Sequence, residues 1–364
     1  MKAAILNDYE QPLSIEEIRI DPPRTGEVKV RIGATGVCHS DYHVIKGEWK
    51  YGVPMILGHE AAGIVEEIGP NVVGVQPGDH AVLSFRPYCG VCRLCTIGRS
   101  VMCEGHTGNR FVMHDGTARV HRNGEDLMIL GRMGSFAEYV VIPAEQVIPV
   151  RKDVSMDVLA LIGCAVTTGV GAVVNAAKVE PGSSVAVIGC GGVGLNVIQG
   201  AALVSAGQII AVDLLDNKLE YARQFGATDT VNAAEGDPVE QVRELTGGGV
   251  DYAFEVIGNG KTVEQAVQMT RAGGTACIVG MAPQNSKATI DPLIFVTKET
   301  RLIGTWYGSA RPRFDFPRLI ELTLAGKLKV KELISRRYTL DQINEGFERL
   351  GRGEVARGVI TFPV

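Results

Sequence analysis

Residues 184–213 read SVAVIGCGGVGLNVIQGAALVSAGQIIAVD, and this stretch decides the fold. An apolar run of strand length, 185–188, is followed by Gly189, Gly191 and Gly194 at Gly-x-Gly-x-x-Gly spacing; a helix opens at Val193, and a second apolar strand ends on Asp213, 19 residues beyond Gly194. Each part has a physical task. The glycines permit a tight turn and let backbone approach a pyrophosphate, while the free amides of a helix N-terminus attract the anion. Asp213 is placed to accept hydrogen bonds from adenosine ribose hydroxyls. A glycine triplet alone is weak; strand, loop, helix, strand and acid in this order point to a dinucleotide. A carboxylate at 213 repels a 2′-phosphate, and Leu214 and Leu215 offer no arginine to offset it, so NAD is expected over NADP. Lys218, at the start of the next helix, is either a further ribose contact or a solvated surface charge.

The alternation continues outward from this unit. LDNKLEYARQFG reads as a helix, and DYAFEVIG and TACIVGM read as further strands, which predicts a doubly wound parallel sheet. Before Pro149 the text changes to short strands between Gly and Pro turns, with Val28, Val30 and Ile32 alternating in GEVKVRIG, so this half is expected to be mostly β. Beyond the strand near 301–305 comes an amphipathic helix with Leu340, Ile343, Phe347 and Leu350, opened by Thr339 with Gln342 three residues on. This tail is expected to rejoin the first half. The expected division is therefore 1–165 with 307–364, and 166–306, in keeping with a chain of 364 residues.

The composition narrows the partners. With 45% hydrophobic and 21% charged residues, a net charge of −5 and no basic run, neither nucleic acid nor an anionic membrane is expected. Windows 158–177 and 183–212 are uncharged and long enough to cross a bilayer of about 30 Å. Both are interrupted by glycines and by polar residues such as Thr167, Thr168, Asn175, Asn196 and Gln199, as expected for elements covered by protein on all sides. Asp8 and Glu10 interrupt any apolar signal region, so a cytoplasmic, reducing location is expected.

Cys89, Cys92, Cys95 and Cys103 stand with two, two and seven residues between them in CGVCRLCTIGRSVMC. One short loop turning at Gly90 and Gly98 can wrap all four sulfurs around a tetrahedral ion, a closed and therefore structural zinc site. Two disulfides are the competing reading, favoured only in a secreted chain.

Three further local motifs are Cys38 in GVCHSDYH, His59 in GHE and Cys164 in LALIGCAVTTG. Taken singly they are buried small hydrophobes and a core histidine. Together with the four-cysteine loop and the nucleotide fold, their content and order resemble the zinc-dependent medium-chain alcohol dehydrogenases over nearly the whole chain. The resemblance implies a GroES-like catalytic domain beside a Rossmann coenzyme domain. It also implies two zinc ions per chain, with Cys38, His59 and Cys164 holding the catalytic one and leaving a fourth position open. It places Glu60 near that metal as a transient ligand and Asp41 behind His59, fixing its tautomer. Ser40 and His43 match a relay that carries the substrate proton outward, a task suited to the pKa of histidine. His39 and Arg357 match positions near the cofactor pyrophosphate, and Thr168, Ile257 and Val279 match positions around the nicotinamide.

The expected reaction is reversible hydride transfer between a primary alcohol, aliphatic or benzyl-type, and NAD, with Phe85 and Trp49 as pocket-lining aromatics. The glutathione- or thiol-dependent formaldehyde dehydrogenase branch is an alternative. It is ranked lower because Trp49 and Tyr51 occupy its acidic region, and His106 and Thr107 follow Cys103 where an arginine is sought. A non-catalytic NAD- or zinc-binding protein is the alternative from another class. Assembly as a homodimer or homotetramer through the strand at 301–305 is also implied.

Overall fold

The structure is a computed structural model that describes residues 1–105 and 108–363; His106 and Thr107, which bear on the thiol-dependent alternative, lie outside the described residues. Two compact units are formed, one from Met1–Cys164, Arg311–Glu321 and Val330–Val364, the other from Ala165–Ala310 and Leu322–Lys329.

The second unit is built on six parallel strands in the order Asp229–Asn232, Gln208–Asp213, Ser184–Ile188, Val250–Glu255, Thr270–Ile278 and Arg301–Gly304. The first strand in sequence, Ser184–Ile188, lies in the middle, so the connections reverse direction at its carboxyl end, where a doubly wound sheet binds its ligand. Ile188 pairs with Val212 on one side and Glu255 on the other. That register levels three strand ends and brings Gly189, Asp213 and Glu255 to one edge of the sheet. Ala186, Ile188, Ile210, Val212, Val239 and Val242 fill one side of the sheet. The window 183–212 is thus strand, loop, the helix Gly192–Leu203 and strand.

Leu322–Lys329 belongs to this unit, beyond the span 166–306 expected for it, and the Lys329 amide donates to Gln199 Oε1 at 2.8 Å. Residues 307–310 stay here as well. A Cβ on Gly308 would stand 2.4 Å from the Thr167 carbonyl, so their backbones are in contact.

The first unit is mostly β. Its longest strand, Glu27–Val37, pairs antiparallel with Ala61–Ile68, Tyr139–Pro143 and the C-terminal Arg357–Thr361. The tail helix Ile343–Gly351 buries Ile343, Phe347 and Leu350. Its entry is closed by reciprocal hydrogen bonds between Thr339 and Gln342, as the sequence spacing predicts. The helical run Met156–Ala177 is long and apolar enough to cross a membrane by composition, yet most of its apolar window is buried in protein.

Gly194 is fixed by packing: a Cβ there would stand 1.8 Å from the Gly189 carbonyl oxygen. Gly194→Ala must displace the loop, and a loss of about 1–3 kcal/mol is expected, read as a lower urea midpoint at unchanged slope. An unmoved midpoint would show that the loop has slack.

Candidate active site

Cys38 ends the long strand's exit as the N-cap of the helix His39–Ile45. His59 and Glu60 precede the strand Ala61–Ile68, and Cys164 lies in a π-helical turn, Ile162–Val166. A π-turn inserts one residue into the helical ladder and re-aims the side chain it carries. These three elements bring the donor atoms of Cys38, His59 and Cys164, all buried, within 4.8 Å of one another. Ligands on a tetrahedral ion at about 2.3 Å from sulfur stand about 3.7 Å apart, so the donor set fits zinc with small adjustments.

The electrostatics support a cation. A hydrogen bond from Cys164, working against burial, together with the charges of Arg357 and His59, holds the Cys38 thiol well below its usual pKa. The same hydrogen bond and burial push Cys164 well up, so the pair retains one proton that a metal would displace. Burial alone would depress His59, but the facing Asp41 carboxyl and Cys38 raise it well above the ordinary value. Asp41 Oδ1 lies 3.1 Å from His59 Nδ1 and accepts from the Gly58 amide at 2.9 Å, which leaves Nε2 for a metal.

Glu60 is fully buried, and the Arg357 guanidinium reaches it at 3.2 Å, Cys38 Sγ at 3.7 Å and the Val37 carbonyl at 3.2 Å. Arg357, expected at the pyrophosphate, is buried against Glu60 and Cys38 in this structure. Gly36 makes the room: a Cβ there would stand 2.1 Å from Glu60 Oε2.

Around this centre, Ser40 Oγ is 3.6 Å from Cys38 Sγ, and the Phe85 ring is 5.3 Å from the His59 ring, edge to face. His43 pairs through Nδ1 with the Glu48 carboxylate, and its ring lies 4.7 Å from that of Trp49. Trp49 is buried in a core cluster, with its ring also 6.4 Å from that of Tyr51. His39 is exposed at the start of its helix.

Cys89, Cys92, Cys95 and Cys103 also converge within 4.8 Å, about a loop whose Gly90 and Gly98 have φ of +75° and +81°. All four are free thiols; Cys92 and Cys103 Sγ are 3.9 Å apart, a tetrahedral spacing. Amides of Cys95 and Glu104 aimed at its sulfur hold Cys92 down to about 6, whereas burial pushes Cys95 up to about 12. Thiols in such contact cannot all ionise without a cation among them.

In the second unit, Gly189 takes φ of +99°, Gly191 caps the helix Gly192–Leu203, and Val193 is half-buried in its first turn. Asp213 accepts from the amides of Cys190 and Leu214 at 2.8 Å each and of Leu215 at 3.2 Å, with Lys218 Nζ at 3.9 Å. A carboxylate has about four acceptor positions, so one remains for a ribose hydroxyl. Thr168 lies in the helix Thr167–Gly171; Ile257 is half-exposed and Val279 buried, in the loops after two adjacent strands.

Residues 24–152 match the family described as Alcohol dehydrogenase GroES-like domain, and 192–325 that described as Zinc-binding dehydrogenase. The S-(hydroxymethyl)glutathione dehydrogenase of Saccharomyces cerevisiae is 39% identical over 368 residues, covering 98% of this chain and 95% of its own. The enzyme of that name from Synechocystis sp. is 39% identical over 367 residues, covering 99% of each chain. The chain belongs to the zinc-dependent medium-chain alcohol dehydrogenases. Among solved structures, benzyl alcohol dehydrogenase from Acinetobacter calcoaceticus superposes with a TM-score of 0.94 at 33% identity, covering 100% of this chain and 99% of its own. The two cysteine-bearing clusters are accordingly the catalytic and structural zinc sites of an alcohol dehydrogenase with a nicotinamide cofactor.

Sequence reasoning missed two features of this dehydrogenase. Glu255, fully buried at the level of the glycine loop, was legible only as a charge ending the apolar run DYAFEV. The π-turn under Cys164 has no residue signature beyond the mixed glycine and threonine text around it.

Two measurements test the metal geometry. Cys38→Ser should lower zinc from two ions per chain to one by elemental analysis, with the tetrathiolate ion retained. Arg357→Leu removes the buried cation facing Glu60 and should cost about 3–5 kcal/mol, seen as a lower denaturation midpoint; wild-type stability would contradict the ion pair.

Proposed function

We propose that this chain is an NAD-linked dehydrogenase of a primary alcohol group, oxidising it reversibly to the aldehyde level. The observation that carries the reading is the buried convergence of Cys38, His59 and Cys164 beside the hydroxyl of Ser40. Zinc, when bound there, supplies Lewis acidity that makes a substrate hydroxyl easier to deprotonate, and NAD accepts the hydride. Ser40 takes the hydroxyl proton and His43 passes it outward. With Nδ1 of His43 donating to Glu48, Nε2 is left as the acceptor this role needs. Asp41 holds His59 in its ligating tautomer, and Glu60, restrained by Arg357, serves as a transient ligand. Gly189, Gly191, Val193 and Gly194 receive the pyrophosphate; Asp213 and Lys218 receive the ribose, and Thr168, Ile257 and Val279 flank the nicotinamide. The acid at 213 favours NAD over NADP.

For the substrate, similarity to two S-(hydroxymethyl)glutathione dehydrogenases favours a hydroxymethyl adduct of a thiol such as glutathione over the free alcohol inferred from Phe85 and Trp49. Such an adduct presents a CH2OH group on sulfur, and loss of hydride to NAD and of the hydroxyl proton gives the formyl thioester in place of a free aldehyde, so the same residues serve. The benzyl-type alcohol is the second reading, supported by Phe85 against His59 and by the benzyl alcohol dehydrogenase likeness. Steady-state assays with formaldehyde plus glutathione, benzyl alcohol and aliphatic alcohols, each with NAD and NADP, separate these readings. The first expects NADH formation that depends on both formaldehyde and glutathione. Activity on benzyl alcohol alone selects the second, and no turnover of any with either cofactor overturns both. Ser40→Ala should lower kcat about 100-fold or more with zinc content unchanged.

Assembly is proposed through Arg301–Gly304, an edge of the six-stranded sheet with Leu302 exposed. A Leu302→Lys variant should shift the mass measured by light scattering from dimer or tetramer toward smaller species, whereas a wild-type mass of one chain would remove this part of the proposal.

A further inference from the structure

We propose that Glu255 is a positioning residue for the nicotinamide half of the cofactor site, an inference that rests on the reading of Ile257 and Val279 as nicotinamide neighbours. The residue is fully buried at the end of the strand Val250–Glu255, level with Ile188 and so with the start of the glycine loop. It ties two loops at once. Its Oε1 accepts from the amides of Ile257 at 2.8 Å and Gly258 at 2.7 Å and lies 2.8 Å from Thr262 Oγ1. Its main-chain carbonyl accepts from the amides of Val279 at 2.8 Å and Gly280 at 2.9 Å. The two residues assigned to the nicotinamide therefore hang from one glutamate, one by its side chain and the other by its backbone.

The loops it joins have no slack. A Cβ on Gly258 would stand 2.4 Å from the Met281 carbonyl, and one on Gly280 would stand 2.2 Å from the Gly258 amide nitrogen and 2.7 Å from Glu255 Oε2. Ile257 in turn packs beneath the glycine loop, its Cγ1 2.7 Å from where a Cβ of Gly189 would lie. A shift of the 256–258 loop is thus passed to the surfaces on which the ring and its ribose would rest.

A helix-capping role does not account for the carboxyl group. The following helix, Gly260–Met269, is already capped by Asn259, whose side chain accepts from Lys261 at 2.8 Å. Meanwhile Glu255 Oε2 is buried with no hydrogen-bond partner among the described residues. An orphaned buried oxygen carries a desolvation cost that a neutral staple would avoid, and the two-loop tie is what that cost maintains.

The test compares the holo-zinc wild type with Glu255→Ala and Glu255→Gln, using NADH, which fills both halves of the site, and AMP, which fills only the adenine half. Loss of the two amide hydrogen bonds in Glu255→Ala should weaken NADH binding about 30-fold while AMP stays within about twofold. Glutamine keeps an acceptor for Ile257 and Gly258 and should recover most of the affinity, leaving about a threefold deficit for NADH alone. If the alanine variant does not fold, the glutamine variant carries the same split on its own. Parallel weakening of NADH and AMP, or NADH affinity equal to wild type, overturns the proposal. Failure of the NAD reading is read separately, in the wild type, as binding of NADPH in preference to NADH.

Discussion

Two thiols and an imidazole held together in a buried pocket are the constraint from which the rest of the first unit follows. Such a set is poorly stable without a cation, because burial opposes ionisation of each thiol while their contact makes them share a proton. The surrounding residues make sense as answers to that problem. Arg357 brings one permanent positive charge to within 3.7 Å of Cys38 Sγ and pairs with Glu60, while Asp41 fixes the ring of His59. Neither a guanidinium nor a protonated imidazole completes a tetrahedral set of soft donors; a zinc ion does. The long strand Glu27–Val37 is the mechanical base: it delivers Cys38 from its exit, provides the space at Gly36 for Glu60, and pairs with the strand that carries Arg357.

In the second unit the proposed function sets a different demand, an anion to be met by backbone. Glycines and a helix start would supply amide hydrogens there, and the parallel register sets the loop level with the ends of two neighbouring strands. Gly194 tolerates no side chain because its Cβ would meet the Gly189 carbonyl oxygen, whereas a Cβ at Gly191 would meet nothing within 4 Å. The nucleotide site was readable as a pattern, whereas the metal site required a resemblance.

The difference in legibility has physical grounds. Alternating strands and helices write their periods into contiguous text, so the doubly wound sheet and the tail helix with its Thr339–Gln342 entry followed from local pattern alone. The tetrathiolate was equally local, since its ligands are confined to one loop. Cys38, His59 and Cys164 are separated by whole strands, and nothing in their individual surroundings distinguishes a ligand from a core cysteine. The contacts of the Arg357 guanidinium with Glu60 and Cys38 follow from the pairing of Arg357–Thr361 with Glu27–Val37, which no local pattern announces. Trp49, expected to line the pocket, packs in a core cluster with its ring beside that of His43, a contact that joins residues of separate local motifs.

Asp213 and Glu255 make the last point about reading acids from sequence. Both end apolar strands that flank Ser184–Ile188, and by pattern they are interchangeable. Their surroundings separate them. Asp213 keeps slight solvent access and an acceptor position beyond its three amides, as a ligand contact requires. Glu255 has no access, and its bonded oxygen is committed to loop amides and a threonine hydroxyl. A carboxyl group without access acts on a ligand only through the backbone it holds. Under the proposed function the three level strand ends would divide the work: glycine backbone for the phosphates, Asp213 for direct recognition, and Glu255 for the geometry of the loops around the reactive ring.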